Sequence, residues 1–246
     1  RTKILATNIY IIAIFFAETP LSYGILTAFA ALVILISRLP WLLVLKSLKP
    51  IWIIVILTMF IHMFTAPGEH VIWSWKFLNV TQEGLDLGLK MAVRLILLLL
   101  FSSVLTFTTS PIVLTDGIEN LLRPFKAVGV PAHELAMMMT IALRFIPTLI
   151  EETDKIMSAQ KARGADLESG GGLQRAKALL PILIPLFVSA FRRADELATA
   201  MECRCYHGGE GRTKLHVLQY ERRDYVALTI GVLVLAAVLV LRYFGI

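Results

Sequence analysis

Long runs of apolar residues, interrupted by few charges, constrain this chain more than any other feature of its sequence. Hydrophobic residues make up 57% of the 246 residues and charged residues only 17%, against about 25% charged in an ordinary soluble domain. The apolar residues form blocks near both ends and in the middle, whereas most of the charge lies between residues 116 and 224. The sequence therefore predicts an integral membrane protein with a water-facing part.

Five apolar runs predict membrane-spanning helices. They cover residues 4–17, 21–36, 51–64, 84–107 and 225–241. The first run is short for a full crossing. We do not expect it to be a signal peptide, because no small-residue cleavage site precedes Glu18 and a second apolar run follows at once. Between the third and fourth runs, the alternation of Trp73, Trp75 and Phe77 favours an interfacial strand or hairpin, although a loop without regular structure fits equally well. Gly84 and Gly88 form a GxxxG pair that only weakly indicates a dimer.

The basic residues predict how these spans are oriented. With the N-terminus in the cytosol, 20 of the 24 lysines and arginines face the cytosol. The remaining four basic residues lie on the outer side: Lys76, Lys90, Arg94 and Arg242. Cytosolic loops of membrane proteins carry such an excess of positive charge. We expect a multi-pass membrane protein with an extracellular C-terminus and three parts: a transmembrane domain of four spans (1–110), a cytosolic domain (111–221) and a C-terminal transmembrane helix (222–246).

The charged region predicts three helices. Residues 115–126 are expected to form a short amphipathic helix that ends before Gly129. Two long helical segments follow at 133–165 and 173–206, and each is apolar in its first half and charged in its second. Three prolines fall inside these segments and are expected to bend or break them. They are Pro147, Pro181 and Pro185.

A weak internal repeat relates the two long segments. Sliding one segment onto the other superposes Asp154 on Asp195 and Arg163 on Arg204. Each segment finishes with an arginine between two small residues, and a glycine-rich loop that is expected to stop the helix follows soon after. The two ends are Ala162-Arg163-Gly164 and Cys203-Arg204-Cys205.

An arginine in the last turn of a helix has two interpretations. It is favoured there by the negative end of the helix dipole, so a lone arginine most often caps its own helix. Its planar guanidinium also suits a carboxylate or carbonyl cluster on another protein. Two copies at matching ends of repeated helices favour docking to a partner. The methionines at 137–139 add flexible apolar surface that suits either a membrane partner or simple core packing.

Other functions find little support in the sequence. Residues 208–214 lack the Gly-Lys-Ser/Thr ending of a Walker A motif, and neither HExxH nor GxSxG occurs. Cys203 and Cys205 are too close for an ordinary disulfide and too few for a structural zinc site. No basic stripe with interleaved aromatic residues indicates nucleic-acid binding. A self-sufficient channel or secondary transporter is the alternative function, although the spans hold few of the ionisable residues it would require.

Several motifs together resemble the transmembrane T component of energy-coupling factor transporters. They are PIVLTDG at 111–117, GVPAHELA at 129–136, LRFIPTL at 143–149 followed by Glu151 and Glu152, Ala-Arg-Gly at 162–164, and GGEGRTK at 208–214. The resemblance covers nearly the whole chain and is closest to the shared, vitamin-transporting type of Gram-positive bacteria. Members of that family usually carry a short cytosolic stretch ahead of this point, so we expect residues to precede Arg1.

The patterns and the resemblance together predict an all-α integral membrane protein with about five transmembrane helices, two long coupling helices and a short amphipathic helix. The resemblance implies that Arg163 and Arg204, with their small neighbours, dock into two ABC-type ATPase subunits that bind ATP and Mg. It implies that this chain binds no cofactor or metal and is not itself an enzyme. Cysteines replace the usual small neighbours of Arg204, and docking is expected to survive because they are also small. Six residues are expected to face a small, vitamin-binding membrane protein, the S component: Met137, Met138, Ile141, Leu183, Phe187 and Phe191.

Overall fold

A computed structural model of the chain describes residues 1–65, 71–75, 78–165, 178–208 and 219–245. Its helices are α1 (Thr2–Phe16), α2 (Pro20–Ile36), α3 (Trp41–Leu48), α4 (Trp52–Thr65), α5 (Gln82–Thr108), α6 (Pro111–Leu122), α7 (Ala132–Ala162), α8 (Leu180–Glu202) and α9 (Arg222–Phe244). Short 3-10 turns cover Lys49–Ile51 and Arg123–Val128. Strands β1 (Val71–Trp75) and β2 (Leu78–Thr81) pair antiparallel. The predicted all-α membrane fold is confirmed, and the two short paired strands lie between the third and fourth apolar runs.

Four helical stretches in the described residues are long and apolar enough to cross a membrane. They are Trp41–Thr65, Gln82–Thr108, Ala132–Ala162 and Arg222–Phe244. α1 and α2 have 15 and 17 residues and are about 23 and 26 Å long, shorter than the roughly 30 Å hydrocarbon core of a bilayer. The set includes α7, which the sequence predicts to lie in the cytosolic region. The apolar stretch that could cross a membrane lies in the first half of α7, because the second half carries the acidic residues Glu151, Glu152 and Asp154.

The chain divides into two compact units, Arg1–Ser110 with Leu218–Ile246, and Pro111–Val217. In the first unit, buried residues of α1, α2, α5 and α9 form one core: Tyr10, Ala13, Ile14, Ala17, Tyr23, Leu26, Ala30, Leu97, Phe101 and Val238. The Tyr10 ring stacks on Phe101 with centroids 3.9 Å apart, and its hydroxyl donates to the Leu26 carbonyl at 3.1 Å. The buried hydroxyl is therefore satisfied, and Tyr10 joins three helices at one point.

Polar contacts fix α1 at both ends. Lys3 Nζ donates to the Thr108 carbonyl at 2.8 Å, and Arg94 Nη2 donates to the Ala17 carbonyl at 3.0 Å. Both acceptors belong to the last turns of helices, where backbone carbonyls lack intrahelical partners and the dipole favours cations. Because residue numbers rise along α1 while they fall along α5, the two helices run antiparallel.

Small residues bring α5 against α4. Gly84, Gly88 and Ala92 repeat every four residues and are all buried. A Cβ at Gly84 would lie 2.9 Å from the Met63 carbonyl oxygen, and one at Gly88 would lie 3.0 Å from the Met59 carbonyl oxygen. The GxxxG pair thus packs two helices of the same chain, and a single sequence could not show that the partner helix is α4.

Helices of the second unit begin at different residues from those predicted. α6 begins at Pro111 rather than at 115, since proline at the first helical position has no N–H that needs a partner. α7 continues through Pro147 without a break. Pro181 lies in the first turn of α8 and Pro185 lies within it, so neither ends the helix. The predicted start of the second long segment, at 173, lies outside the described residues.

Candidate functional site

The two arginine ends are exposed. Ala162, Arg163 and Gly164 face solvent, and so do Cys203, Arg204 and Cys205. Neither guanidinium has a hydrogen bond or ion pair to another residue among the parts that the structure describes. Within those parts, neither side chain caps its own helix, and both are available to a partner.

Both ends are built from the same backbone hydrogen bonds. The Gly164 N–H donates to the Lys161 carbonyl and the Ala165 N–H donates to the Gln160 carbonyl, each at 3.0 Å. The same two bonds recur at the matching positions of the repeat at 2.9 and 3.0 Å, from Cys205 to Glu202 and from Tyr206 to Met201. This pair of bonds is the Schellman motif, which requires a left-handed residue directly after each arginine.

The left-handed residues are Gly164, with φ +85°, and Cys205, with φ +56°. Glycine adopts this conformation freely, whereas a residue with a Cβ is disfavoured there by about 1–2 kcal/mol. The expectation that the glycine-rich loops stop the helices was wrong, because both helices end at these left-handed residues, before the loops begin. The third residue of each arginine motif is therefore the helix stop.

Glu152 of α7 joins α7 to α8. Its Oε2 accepts from Arg193 Nε at 3.1 Å and from Arg193 Nη2 at 2.9 Å, and its Oε1 accepts from the Ser189 hydroxyl. Further along, Gln160 Nε2 donates to the Pro181 carbonyl at 3.3 Å. Because the contacts move backwards along α8 as they move forwards along α7, the two helices cross antiparallel.

The crossing separates the two arginines. Arg163 follows Glu152 at the same sequence interval as Arg204 follows Arg193. At a rise of about 1.5 Å per residue, each arginine lies about 16 Å from the crossing, in opposite directions, so the two are up to about 33 Å apart. The ion pair thus lies midway between the two exposed ends.

The residues expected to face the S component lie on both helices. Met138, Leu183, Phe187 and Phe191 are 55%, 40%, 61% and 69% exposed, whereas Met137 and Ile141 are half-buried. On α8, Leu183, Phe187 and Phe191 repeat every four residues and form one apolar stripe. Ile184 and Val188, which the sequence prediction omitted, widen this stripe and are 62% and 64% exposed. Their own spacing of four was the signal that would have included them.

Sequence reasoning also missed the Glu152–Arg193 pair. The two residues are 41 positions apart and so occupy matching positions of the internal repeat, with opposite charges. That match was a usable signal, but it has meaning only when the two helices are known to cross at these positions.

Metal-binding chemistry has no site in the described residues. No group of three or more His, Cys, Asp or Glu side chains in those parts could hold an ion. Both cysteines there are free and exposed. The chemistry of the described site is that of exposed guanidinium groups and apolar stripes, which suits binding to other proteins.

Comparison with known proteins assigns the family. The profile of the CbiQ family, described as a cobalt transport protein, matches residues 1–215. This chain belongs to the CbiQ family. Its relatives include proteins named energy-coupling factor transporter transmembrane protein EcfT, so the family predicted from the motifs is confirmed.

Three of these relatives illustrate the extent of the match. The protein from Acidaminococcus fermentans is 64% identical over 99% of this chain and 89% of its own length. The protein from Ruminiclostridium cellulolyticum is 54% identical over 99% of this chain and 91% of its own length. The protein from Bacillus subtilis is 46% identical over 97% and 90%, respectively. The similarity therefore includes both arginine ends and the apolar helices.

Proposed function

We propose that this chain is the transmembrane scaffold of an energy-coupling factor transporter. It links ATP hydrolysis by two ABC-type ATPase subunits to the reorientation of an S component that binds a vitamin. ATP and Mg belong to the ATPase subunits, and this chain catalyses no reaction. The observation that carries the proposal is the pair of exposed arginines, each at the end of a long helix and each followed by the same pair of backbone hydrogen bonds.

Two separate docking points suit two ATPase subunits. A guanidinium that enters a groove lined by carboxylate or carbonyl oxygens forms charge-assisted hydrogen bonds, each worth about 1.5–3 kcal/mol. Arg163 and Arg204 end two different helices on opposite sides of the crossing, so each can enter a groove of its own. When ATP binding moves the two ATPase subunits relative to each other, the two arginines carry that movement into α7 and α8.

The apolar stripes suit a membrane partner. Leu183, Phe187 and Phe191 expose aromatic and aliphatic surface on the same helix that ends at Arg204. Helix–helix association in a membrane depends on close packing of such surfaces. Movement of α8 by an ATPase subunit would thus be transmitted directly to an S component packed on this stripe.

Copurification from cells that express the whole transporter tests the proposal. Wild-type chain brings down two ATPase subunits and a small membrane protein. Arg163→Ala and Arg204→Ala each weaken ATPase binding by at least about tenfold, and the double change weakens it further. Arg192→Ala is the matched control, because Arg192 is 81% exposed on α8 and lies outside both arginine motifs. A double variant that retains both ATPases and wild-type vitamin uptake contradicts the proposal, and uptake by this chain without partners supports a self-sufficient transporter.

A further inference from the structure

We propose that Lys46 and Lys49, together with Arg38, bind the headgroup of an anionic phospholipid of the cytosolic leaflet. Lys46 lies in α3, Lys49 begins the 3-10 turn that follows it, and Arg38 lies in the loop that precedes it. The site is separate from the proposed function, because it belongs to the first unit and involves neither arginine end. In the predicted orientation, all three residues are on the cytosolic side of the membrane.

The two lysines lie on the outward face of their helix. Val44 is buried, and α3 contacts α5. Leu42 and Lys46 are two positions from Val44 in either direction, which is the opposite face of a helix, and both are exposed. At helical spacing this exposed line continues through Lys49 to Ile53, and Leu42 and Ile53 are 71% and 74% exposed. The lysines therefore lie between apolar side chains on a surface that faces away from α5.

The length of the helical stretch places the lysines at the cytosolic headgroups. Trp41–Thr65 is apolar enough to cross a membrane and is about 38 Å long, against roughly 30 Å of hydrocarbon. The excess length belongs at the cytosolic end, because that end carries Lys46 and Lys49 and begins with Trp41, a residue type favoured at the interface. Side chains lean toward the N-terminus of their helix, which is the cytosolic end of α3, so the lysine stems lead to the headgroups.

These cations need a partner from outside the chain. Within the described parts, the side chains of Arg38, Lys46 and Lys49 have no hydrogen bond or ion pair. No Asp or Glu occurs from residue 19 to residue 68 of the sequence. Phosphate oxygens form charge-assisted hydrogen bonds with both lysine and arginine, and the headgroup layer supplies them at this level.

The local charge favours an anionic lipid over a zwitterionic one. Lys46 and Lys49 are three positions apart and so are neighbours on one face, which allows one phosphate to contact both. A zwitterionic headgroup adds its own cation beside them, whereas a phosphatidylglycerol headgroup adds none. Arg38 extends the positive surface from a left-handed backbone position, with φ +52°. A charged side chain is thus present where the backbone conformation alone favours glycine, as is typical of residues with a binding role.

Quenching of tryptophan fluorescence by brominated lipids tests the site, because Trp41 and Trp52 flank the lysines and are 64% and 58% exposed. The full chain carries Trp73→Phe and Trp75→Phe, so that Trp41 and Trp52 are its remaining tryptophans, and is reconstituted in vesicles of phosphatidylcholine and phosphatidylglycerol. The bromine label is placed on one lipid or on the other at the same mole fraction. We expect labelled phosphatidylglycerol to quench more strongly than labelled phosphatidylcholine.

Two matched variants separate a headgroup site from a general effect of charge. Each lysine changed in Lys46→Gln and Lys49→Gln lowers the preference for phosphatidylglycerol by about fivefold, whereas Lys46→Arg with Lys49→Arg keeps it. Lys155→Gln with Arg192→Gln removes two exposed cations from the second unit and leaves the preference unchanged.

Three results overturn the proposal. They are equal quenching by both labelled lipids with the lysines in place, an undiminished preference in Lys46→Gln with Lys49→Gln, and loss of the S component from that double variant with its lipid preference intact. The last result would identify this face as a contact with another protein. Both arginine ends are unchanged in all of these variants, so copurification of the ATPase subunits tests the proposed function separately.

Discussion

At the level of single residues, the internal repeat extends to the backbone hydrogen bonds. Gly164 and Cys205 occupy the same left-handed position, and their N–H groups donate to equivalent carbonyls. The cysteine next to Arg204 is thus small, as docking requires, but it is not the residue that this backbone conformation prefers. The smallness of the neighbours could be read from the sequence, whereas their different backbone strain could not.

Substitution at these two positions should change stability in opposite directions. Gly164→Ala lowers the free energy of unfolding by about 1 kcal/mol, because Ala is strained at positive φ while no neighbouring atom lies near the new Cβ. Cys205→Gly raises it by up to about 1 kcal/mol by removing that strain. Thermal unfolding of the purified complex in detergent measures both changes.

Cys203→Ala controls for the loss of a thiol. Cys203 has φ −61°, an ordinary helical value, so its replacement is expected to leave the unfolding temperature nearly unchanged. Equal effects of Cys203→Ala and Cys205→Gly would show that the backbone conformation at Cys205 is not strained.

At the level of helices, the sequence predicted which segments are helical better than it predicted where the helices begin and end or which helices they contact. Apolar runs and the switch from apolar to charged halves predicted the helices around Arg144 and Arg193, because such patterns are properties of one segment. The helix ends depend on left-handed backbone conformations at Gly164 and Cys205. Cysteine is disfavoured in that conformation, so a cysteine in the sequence does not indicate a helix end. Pro147 was expected to bend or break its helix, and α7 is not broken there.

Contacts between helices could not be predicted in the same way. Small residues at Gly84 and Gly88 indicated close approach to some helix, but nothing in their spacing identifies Met59 and Met63 as the surface they contact. The same is true of Glu152, whose partner is defined only by an antiparallel crossing. These contacts join segments that are distant in sequence, and a single sequence holds no direct record of them.

Glycine-to-alanine changes test the α4–α5 packing. Gly24 of α2 has no atom within 4 Å of the methyl group that alanine would add, so Gly24→Ala is stabilising by about 0.5–1 kcal/mol through helix propensity. Gly88→Ala has the same propensity gain, but its Cβ would lie 3.0 Å from a backbone oxygen that cannot move independently, and overpacking costs about 1–3 kcal/mol. The two changes are therefore expected to have opposite signs in a thermal unfolding assay.

The sign of the difference decides the interpretation. If Gly88→Ala is as stabilising as Gly24→Ala, α5 does not approach α4 as closely as the structure shows. If it is neutral in a monomer but disrupts self-association, the GxxxG pair serves a dimer.

At the level of the whole molecule, the contacts of the first unit set which helix ends lie together. Arg94 reaches the Ala17 carbonyl, and Arg242 forms an ion pair with Glu18 at 2.9 Å. The C-terminal ends of α1 and α9 and the N-terminal half of α5 therefore lie on one side of this unit. Arg94 and Arg242 are among the four basic residues expected outside the cell. The packing therefore places on one side of the unit two residues that the positive-inside rule also places on one side of the membrane.

Thiol labelling tests the predicted orientation. In a background with Cys203→Ala and Cys205→Gly, which removes both cysteines of the chain, single cysteines are introduced as Lys49→Cys and Tyr243→Cys. Tyr243 is 87% exposed and Lys49 is also exposed, so neither side chain is buried within the protein. Because 20 of the 24 basic residues, Lys49 among them, are expected inside, a membrane-impermeant maleimide added to intact cells should label Tyr243→Cys but not Lys49→Cys. Lys49→Cys should be labelled only in inverted vesicles, and labelling of both residues from the same side of the membrane would contradict the predicted arrangement of spans.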